Sequence, residues 1–152
     1  MTAEVHPTGT EIAARAVAMA LDAGATQAEA LVIESGSALT RFANNEIHQN
    51  VSEQDTVVNL RFVEGQRSGV ASANRPDEAA LRRLAASAAT ICRLQPELPG
   101  TVSLPGPAPT PLVAGAFAQR TAEADPDARA DAAGVIIAAA STSATSTAMR
   151  SA

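Results

Sequence analysis

The chain has 152 residues, and its apolar content consists largely of alanine: 36 alanines stand beside 30 Leu, Ile, Val and Phe residues in all. Burial of a large aliphatic side chain contributes roughly 1.5–3 kcal/mol and that of alanine much less, so the sequence predicts a small core. All eleven basic residues are arginine, the net charge is −5, and Trp and Tyr are absent. These features argue against a nucleic-acid binder, which needs excess positive charge and, for single strands, aromatic stacking platforms.

Features that would direct the chain out of the cytoplasm are missing from the sequence. The single cysteine, Cys92, cannot form an internal disulfide. Residues 1–10 show no cationic segment followed by an apolar run, and the longest apolar stretch, 132–140, is far shorter than the roughly 18–20 residues of a membrane span. We therefore expect a cytoplasmic protein with no membrane partner.

The first predicted element is a helix over 9–23. Thr8 and Glu11 have the spacing of a capping box, in which each side chain satisfies an early backbone N–H group. Apolar residues then recur every three or four positions from Ile12 onward, and Gly24 suits the left-handed position that follows a helix.

After this helix the apolar period changes to two, which is typical of strands. Turn residues at 35–37, 44–45 and 64–66 divide the region into short runs. The predicted strands are 28–34, 37–43, 46–53, 56–63 and 67–73. Because short turns join them, we expect an α+β fold with an antiparallel meander of about five strands and helices packed on one face.

A second helix, a connector and a third helix complete the predicted order. Residues 74–77 open the second helix, whose apolar stripe includes Leu81 and Cys92. Six of the nine prolines lie in the connector, 96–111, which should be extended and semi-rigid. Asp125 and Pro126 begin a helix over 128–140. The predicted organisation is therefore an N-terminal α+β domain (1–95), this connector, and a following segment (112–152). The pattern of the last segment predicts one helix and indicates a truncated segment.

The third helix lacks an obvious packing partner in the sequence. Val135 and Ile136 belong to its apolar set, and residues 141–152 are rich in Ser, Thr and Ala without a clear period. The end could be frayed or an interrupted strand. We therefore expect apolar surface to remain uncovered around Val135 and Ile136, with self-association or a disordered tail as the consequence.

Residues capable of metal or nucleophilic chemistry are few. The histidines are His6 and His48, and neither has the spacing to Cys92 or to carboxylates that zinc sites use. Glu46 and His48 would share an exposed strand face. Cys92 lies on an apolar helix stripe, which predicts a buried and inert thiol. Residues 65–69 resemble a glycine-rich loop but lack its lysine and join two strands, so a hairpin turn is the better interpretation.

Four arginines could approach one another across the sheet. Their guanidinium groups could capture a carboxylate or phosphate, but pairing with Glu46, Glu53 or Glu64 is the simpler expectation. The four are Arg41, Arg61, Arg67 and Arg75.

A series of short segments, taken in order, resembles the N-terminal domain of the TldD/PmbA family. The segments are Ala23–Glu29, Thr40–Gln49, Val58–Phe62 and Gly65–Asn74, followed by the second helix. Members of this family are cytosolic metallopeptidases that are also described as modulators of DNA gyrase. The resemblance implies peptide or unfolded-protein hydrolysis by a metal, expected to be zinc, held by a His-Glu-x-x-x-His helix in a C-terminal half. No residue of this chain matches a catalytic or metal position.

The resemblance implies a non-catalytic N-terminal part of such a peptidase, which contributes scaffold, dimerisation or substrate-chamber wall. It implies self-association or a related subunit as partner, and no zinc and no hydrolysis by this chain alone. An alternative is a stand-alone module that binds peptides or proteins through a sheet edge. Its predicted docking residues surround one hairpin: Arg41, Phe42, Asn45, Ile47 and His48. Independent catalysis by Cys92 or His48 is a third, weaker hypothesis.

Overall fold

The computed structural model describes residues 7–100, 103–106, 108–109, 111 and 113–150, with side chains described as far as residue 141. The chain divides into two compact units. The first comprises Met1–Ser35 and Gln54–Ala108, and the second comprises Gly36–Glu53 and Pro109–Ala152.

Helix α1, Gly9–Asp22, begins at the predicted capping box. The Thr8 hydroxyl accepts a hydrogen bond from the Glu11 backbone N–H at 3.3 Å, and the Glu11 carboxylate accepts one from the Thr8 N–H at 2.7 Å. Its buried face consists of Ile12, Ala16 and Ala20. The helix ends just before Gly24, whose φ of 101° is left-handed, so the predicted helix is confirmed to within a residue at its end.

The sheet has three antiparallel strands rather than five. They are β1 (Gln27–Ala43), β2 (Glu46–Glu64) and β3 (Arg67–Ala73), in the order β1-β2-β3. Strands β2 and β3 pair from Val58 opposite Ala73 to Glu64 opposite Arg67. The two reversals are Asn44–Asn45, with φ of 52° and 63°, and Gly65, with φ of 62°. Residue pairs with positive φ suit the tight turns of twisted hairpins.

The prediction of five strands was wrong because two expected breaks are continuous strand. Residues 35–37 lie inside β1, and residues 54–55 lie inside β2. Gly36 does not adopt a positive φ, unlike Gly65. Ser, Gly and Asp tolerate extended backbone as well as turns, so their presence alone does not reverse the chain.

Helix α2, Glu78–Leu94, covers the sheet together with α1. Asp77 caps it by accepting a hydrogen bond from the Ala80 N–H at 2.9 Å. The core of the first unit joins the buried faces of both helices to the inward side chains of β2. These inward side chains are fully buried: Val58, Leu60 and Phe62.

The inward face of the sheet is built mainly from small side chains at its two outer strands. Ala28, Ala30 and Ala71 are partly buried against the core. At Gly69 of β3 the backbone comes so close to α2 that an added Cβ would lie 2.4 Å from the carbonyl oxygen of Ala88. The alanine-rich composition therefore produces a closely spaced sheet–helix layer with a modest volume.

The second unit contains the distal ends of β1 and β2, a short helix α3 (Gln119–Ala122) and a long helix α4 (Pro126–Arg150). The Asp125 side chain caps α4 by accepting from the Ala128 N–H at 2.7 Å. The helix continues ten residues beyond the predicted end at 140, so the expected frayed or strand-like segment is helical through residue 150. Ser and Thr are only weak helix breakers and do not end it.

The expectation that Val135 and Ile136 lie uncovered is confirmed. Their side chains are 72% and 58% exposed, whereas Ala133 is buried.

No helix within the described ranges is long and apolar enough to cross a membrane.

Candidate functional site

The predicted docking residues lie at the tip of the β1–β2 hairpin. Arg41 and Phe42 are near the end of β1, Asn45 is in the turn, and Ile47 and His48 begin β2. All five are exposed. Because neighbouring residues of a strand point to opposite faces, Arg41 and Phe42 lie on different faces of the hairpin, as do Ile47 and His48. The five residues are therefore close in sequence but are divided between the two faces of the hairpin. Their docking role stays a prediction.

The candidate metal and nucleophilic residues do not form a centre. Cys92 is a fully buried free thiol on α2, as predicted, and it belongs to the first unit, whereas His48 belongs to the second. His6 lies outside the described residues. In the parts of the chain that the structure describes, no three His, Cys, Asp or Glu side chains stand close enough to hold a metal ion. The donor set present there does not fit zinc.

Three of the four highlighted arginines form ion pairs, but with partners other than those expected. Arg61 pairs with Glu29 at 3.3 Å, Arg67 with Glu97 at 3.3 Å, and Arg75 with Asp77 at 3.1 Å.

The carboxylate of Glu64, one of the expected partners, instead pairs with Arg93 at 3.2 Å. Arg93 also donates to the carbonyl oxygen of Ala23, so it connects the end of β2 to the end of α1. The prediction missed Arg93 because register and helix position, which set these distances, cannot be read from spacing along the chain.

The face of the sheet opposite the helices carries exposed apolar side chains from the two edge strands. Leu31 and Ile33 of β1 are 57% and 47% exposed, and Val70 of β3 is 51% exposed. Val70 stands opposite Arg61 in the register, and Arg61 reaches Glu29 across the same face. We call Leu31, Ile33, Val70 and the Arg61–Glu29 ion pair the outer face. Exposed apolar side chains beside a polar pair are typical of surfaces that another protein element covers.

A small cavity lies between the end of β3 and α2. Its volume is about 290 Å³. Apolar side chains contribute part of its wall, namely Ala73, Ala80 and Leu84. Polar residues contribute the rest: Ser72, Asn74, Arg75, Arg83 and Ser87. We call this space the α2 cavity.

The electrostatics at the α2 cavity are dominated by arginine. The hydrogen bond from the Ala80 N–H lowers the pKa of Asp77 below its ordinary value, and the nearby guanidinium groups of Arg75 and Arg83 lower that pKa further. Asp77 is therefore ionised at neutral pH and neutralises one of the two cations. By its spacing alone, Arg83 belongs to the exposed face of α2. Its position six residues after the capping residue Asp77, close to the end of the preceding strand, is the sequence feature that could have pointed to it.

The first unit is thus an α+β domain in which two helices cover one side of an antiparallel three-stranded sheet and leave the other side open. Residues 28–92 match the family model for PmbA/TldA metallopeptidase domain 1. The chain therefore carries a TldD/PmbA-family N-terminal domain, and the resemblance drawn from the sequence is confirmed.

Comparison with solved structures finds TldE from Thermococcus kodakarensis, at 22% sequence identity and a TM-score of 0.47. The similarity covers 66% of this chain and 21% of that chain. A search of curated proteins gives no match.

Proposed function

We propose that this chain provides the non-catalytic N-terminal part of a TldD/PmbA-type metallopeptidase. In this role it supplies scaffold and a contact surface for the catalytic part, and it borders the chamber that receives peptide substrates. The observation that carries the proposal is the match of residues 28–92 to a first domain of that family. A cytoplasmic location belongs to the same proposal.

The chemistry of the described residues supports a non-catalytic role. A peptidase of this class needs a metal held by three or more nitrogen or oxygen ligands, and the described part of the chain offers no such group. The matched family model is that of a first domain, so the metal ligands are expected in a further domain of such proteins. Zinc, where bound there, would polarise the scissile carbonyl and activate water.

The outer face is the surface that we assign to the contact with the catalytic part or with a related subunit. Leu31, Ile33 and Val70 supply apolar side chains on its two edge strands, and Arg61 of the central strand pairs with Glu29 across the same face. The opposite side of the sheet is already occupied by α1 and α2. Covering the outer face would therefore complete a three-layer arrangement around one sheet.

Binding to a metal-bearing family member tests this proposal. The full chain is mixed with a purified TldD/PmbA-type protein that contains the His-Glu-x-x-x-His helix, and complex formation is followed by sedimentation velocity. Ile33→Glu should weaken the complex at least tenfold, since it places a charge among the apolar side chains of the outer face. Leu94→Glu is the matched control, because Leu94 is 80% exposed at the end of α2, away from the outer face. It should leave the affinity unchanged.

The same preparation provides a direct check on catalysis. The chain alone should contain no stoichiometric zinc and should not hydrolyse casein or short peptides. One zinc per chain together with casein hydrolysis would overturn the non-catalytic assignment. Equal effects of Ile33→Glu and Leu94→Glu would overturn the assignment of the outer face.

A second candidate function, a peptide-binding module, is favoured by the strand order. Strands β1 and β3 are at the edges of the sheet, and β3 pairs with residues 58–64 of β2. Exposed strand edges can accept an extended peptide through main-chain hydrogen bonds. Peptide titration that shifts the backbone amide signals of residues 41–48 would favour this function over the scaffold role.

A further inference from the structure

We propose that the α2 cavity binds the carboxylate of a small aliphatic acid, of the kind found at the C-terminal alanine of a peptide. This inference goes beyond the proposed function and does not depend on it. It stands on the charge, the wall and the position of the cavity, which point to the same ligand class.

The balance of charge favours a monoanion. Arg75 and Arg83 both line the cavity, and Asp77 pairs with Arg75 at 3.1 Å. Among the described residues, no carboxylate lies within ion-pair distance of Arg83. The local excess is therefore one positive charge, in a chain whose net charge is −5. A dianion such as phosphate would be less well compensated here than a carboxylate, which a guanidinium group can bind through two parallel hydrogen bonds.

The wall of the cavity favours a short aliphatic group beside the carboxylate. Ala73, Ala80 and Leu84 present methyl groups, while the Ser87 hydroxyl and the Asn74 amide provide hydrogen-bonding groups. The volume of about 290 Å³ is at the lower limit for small-molecule sites, so it admits a ligand of amino-acid size.

The position of the cavity favours a peptide end as the source of that carboxylate. Three wall residues, 72–74, belong to the last part of β3 and the residue after it. Among the described strands β3 is at the edge of the sheet, where its outer main-chain groups can pair with an extended chain beside the cavity. A peptide could therefore pair with this edge while its terminal carboxylate reaches Arg83.

Titration of the full ¹⁵N-labelled chain by NMR tests the proposal with three probes. N-Acetylalanine should shift the backbone amide signals of Ala80 and Ser87 saturably, with a Kd in the millimolar range. N-Acetylalaninamide, which has the same shape without the charge, should bind at least about tenfold more weakly. Inorganic phosphate should also bind more weakly than N-acetylalanine. No saturable shift with N-acetylalanine, equal binding of the amide, or tighter binding of phosphate would each overturn the proposal.

A pair of neighbouring arginines provides the matched variants. Arg83→Gln should weaken N-acetylalanine binding at least about tenfold, because it removes the unpaired cation. Arg82→Gln removes the same charge one residue earlier, where the guanidinium already pairs with Glu78 at 2.6 Å, and should leave the affinity unchanged. Both side chains are exposed, and thermal melts would confirm that both variants fold. Equal weakening by the two variants would indicate a nonspecific charge effect and refute the site.

Discussion

Gly69 is the position at which the close spacing of sheet and helix can be tested most directly. It is buried on β3 and faces α2. A Cβ added there would lie 2.4 Å from both the Ala88 carbonyl oxygen and the Cys92 backbone nitrogen, and 2.9 Å from the Cys92 Cα. All three are backbone atoms, so no side-chain rotation can relieve the overlap. Gly69→Ala therefore requires β3 and α2 to move apart.

The size of the effect follows from these distances. Ordinary van der Waals contact begins near 3.4 Å, so the separation must grow by about 1 Å. Overpacking of a well-packed core costs roughly 1–3 kcal/mol, occasionally more, and a backbone clash belongs at the upper end. Replacing glycine also lowers the conformational entropy of the unfolded chain, which stabilises the folded state by about 0.4–1 kcal/mol. We expect a net destabilisation of about 2 kcal/mol, which lowers the Tm by roughly 8–16 °C for a domain of this size.

Thermal and urea unfolding followed by circular dichroism would measure this loss. Gly36→Ala is the matched control, because Gly36 is also a strand glycine without positive φ and an added Cβ there meets nothing within 4 Å. It should be neutral or slightly stabilising. A Gly69→Ala variant that melts within about 2 °C of the wild type would refute the inferred spacing of the layer.

Two further predictions concern α2. Leu81→Asp should unfold the first unit, since Leu81 is fully buried and an unpaired carboxylate there would be strongly unfavourable, whereas Leu94→Asp at the exposed end of α2 should melt like the wild type. The folded-state pKa of Asp77 is lowered, so the stabilisation from its ionised form is complete above the unfolded-state pKa, near 3.8, and is lost as the pH falls through the folded-state value. Asp77→Asn keeps the cap but removes this charge, so the variant should have a lower Tm than the wild type at pH 7. This difference in Tm should disappear under strongly acidic conditions. A difference that does not change with pH would contradict this cause.

The helix starts could be predicted from the sequence because their signals are local. Thr8 and Glu11 satisfy each other's backbone N–H groups within one turn. At the start of α2, the Asp77 side chain accepts a hydrogen bond from the Ala80 N–H. Such contacts depend only on residues three positions apart, so spacing along the chain is sufficient evidence. The predicted buried stripe of α2 was likewise correct at Leu81 and Cys92, because helical periodicity fixes one face, but Ile91, which was predicted to belong to it, is 37% exposed.

The strand breaks and the candidate site depended on information that the sequence does not carry locally. Whether Gly36 turns or extends is decided by the strand that pairs with it, not by its own preference. Arg83 lies near Asp77 and the end of β3 because α2 packs on the sheet, and spacing along the chain does not show that packing. The ion pair of Arg61 with Glu29 depended on register in the same way.

The distribution of side-chain size across β1 joins the fold to the proposed functions. Its inward positions hold Ala28, Ala30 and Val32, while its outward positions hold Leu31 and Ile33. The inward side of the sheet is already filled by the buried residues of α1, α2 and β2. The larger groups are therefore available on the outer face, where they can stabilise an association rather than the isolated domain. By this reasoning, Ile33→Glu should change binding far more than it changes the stability of the domain.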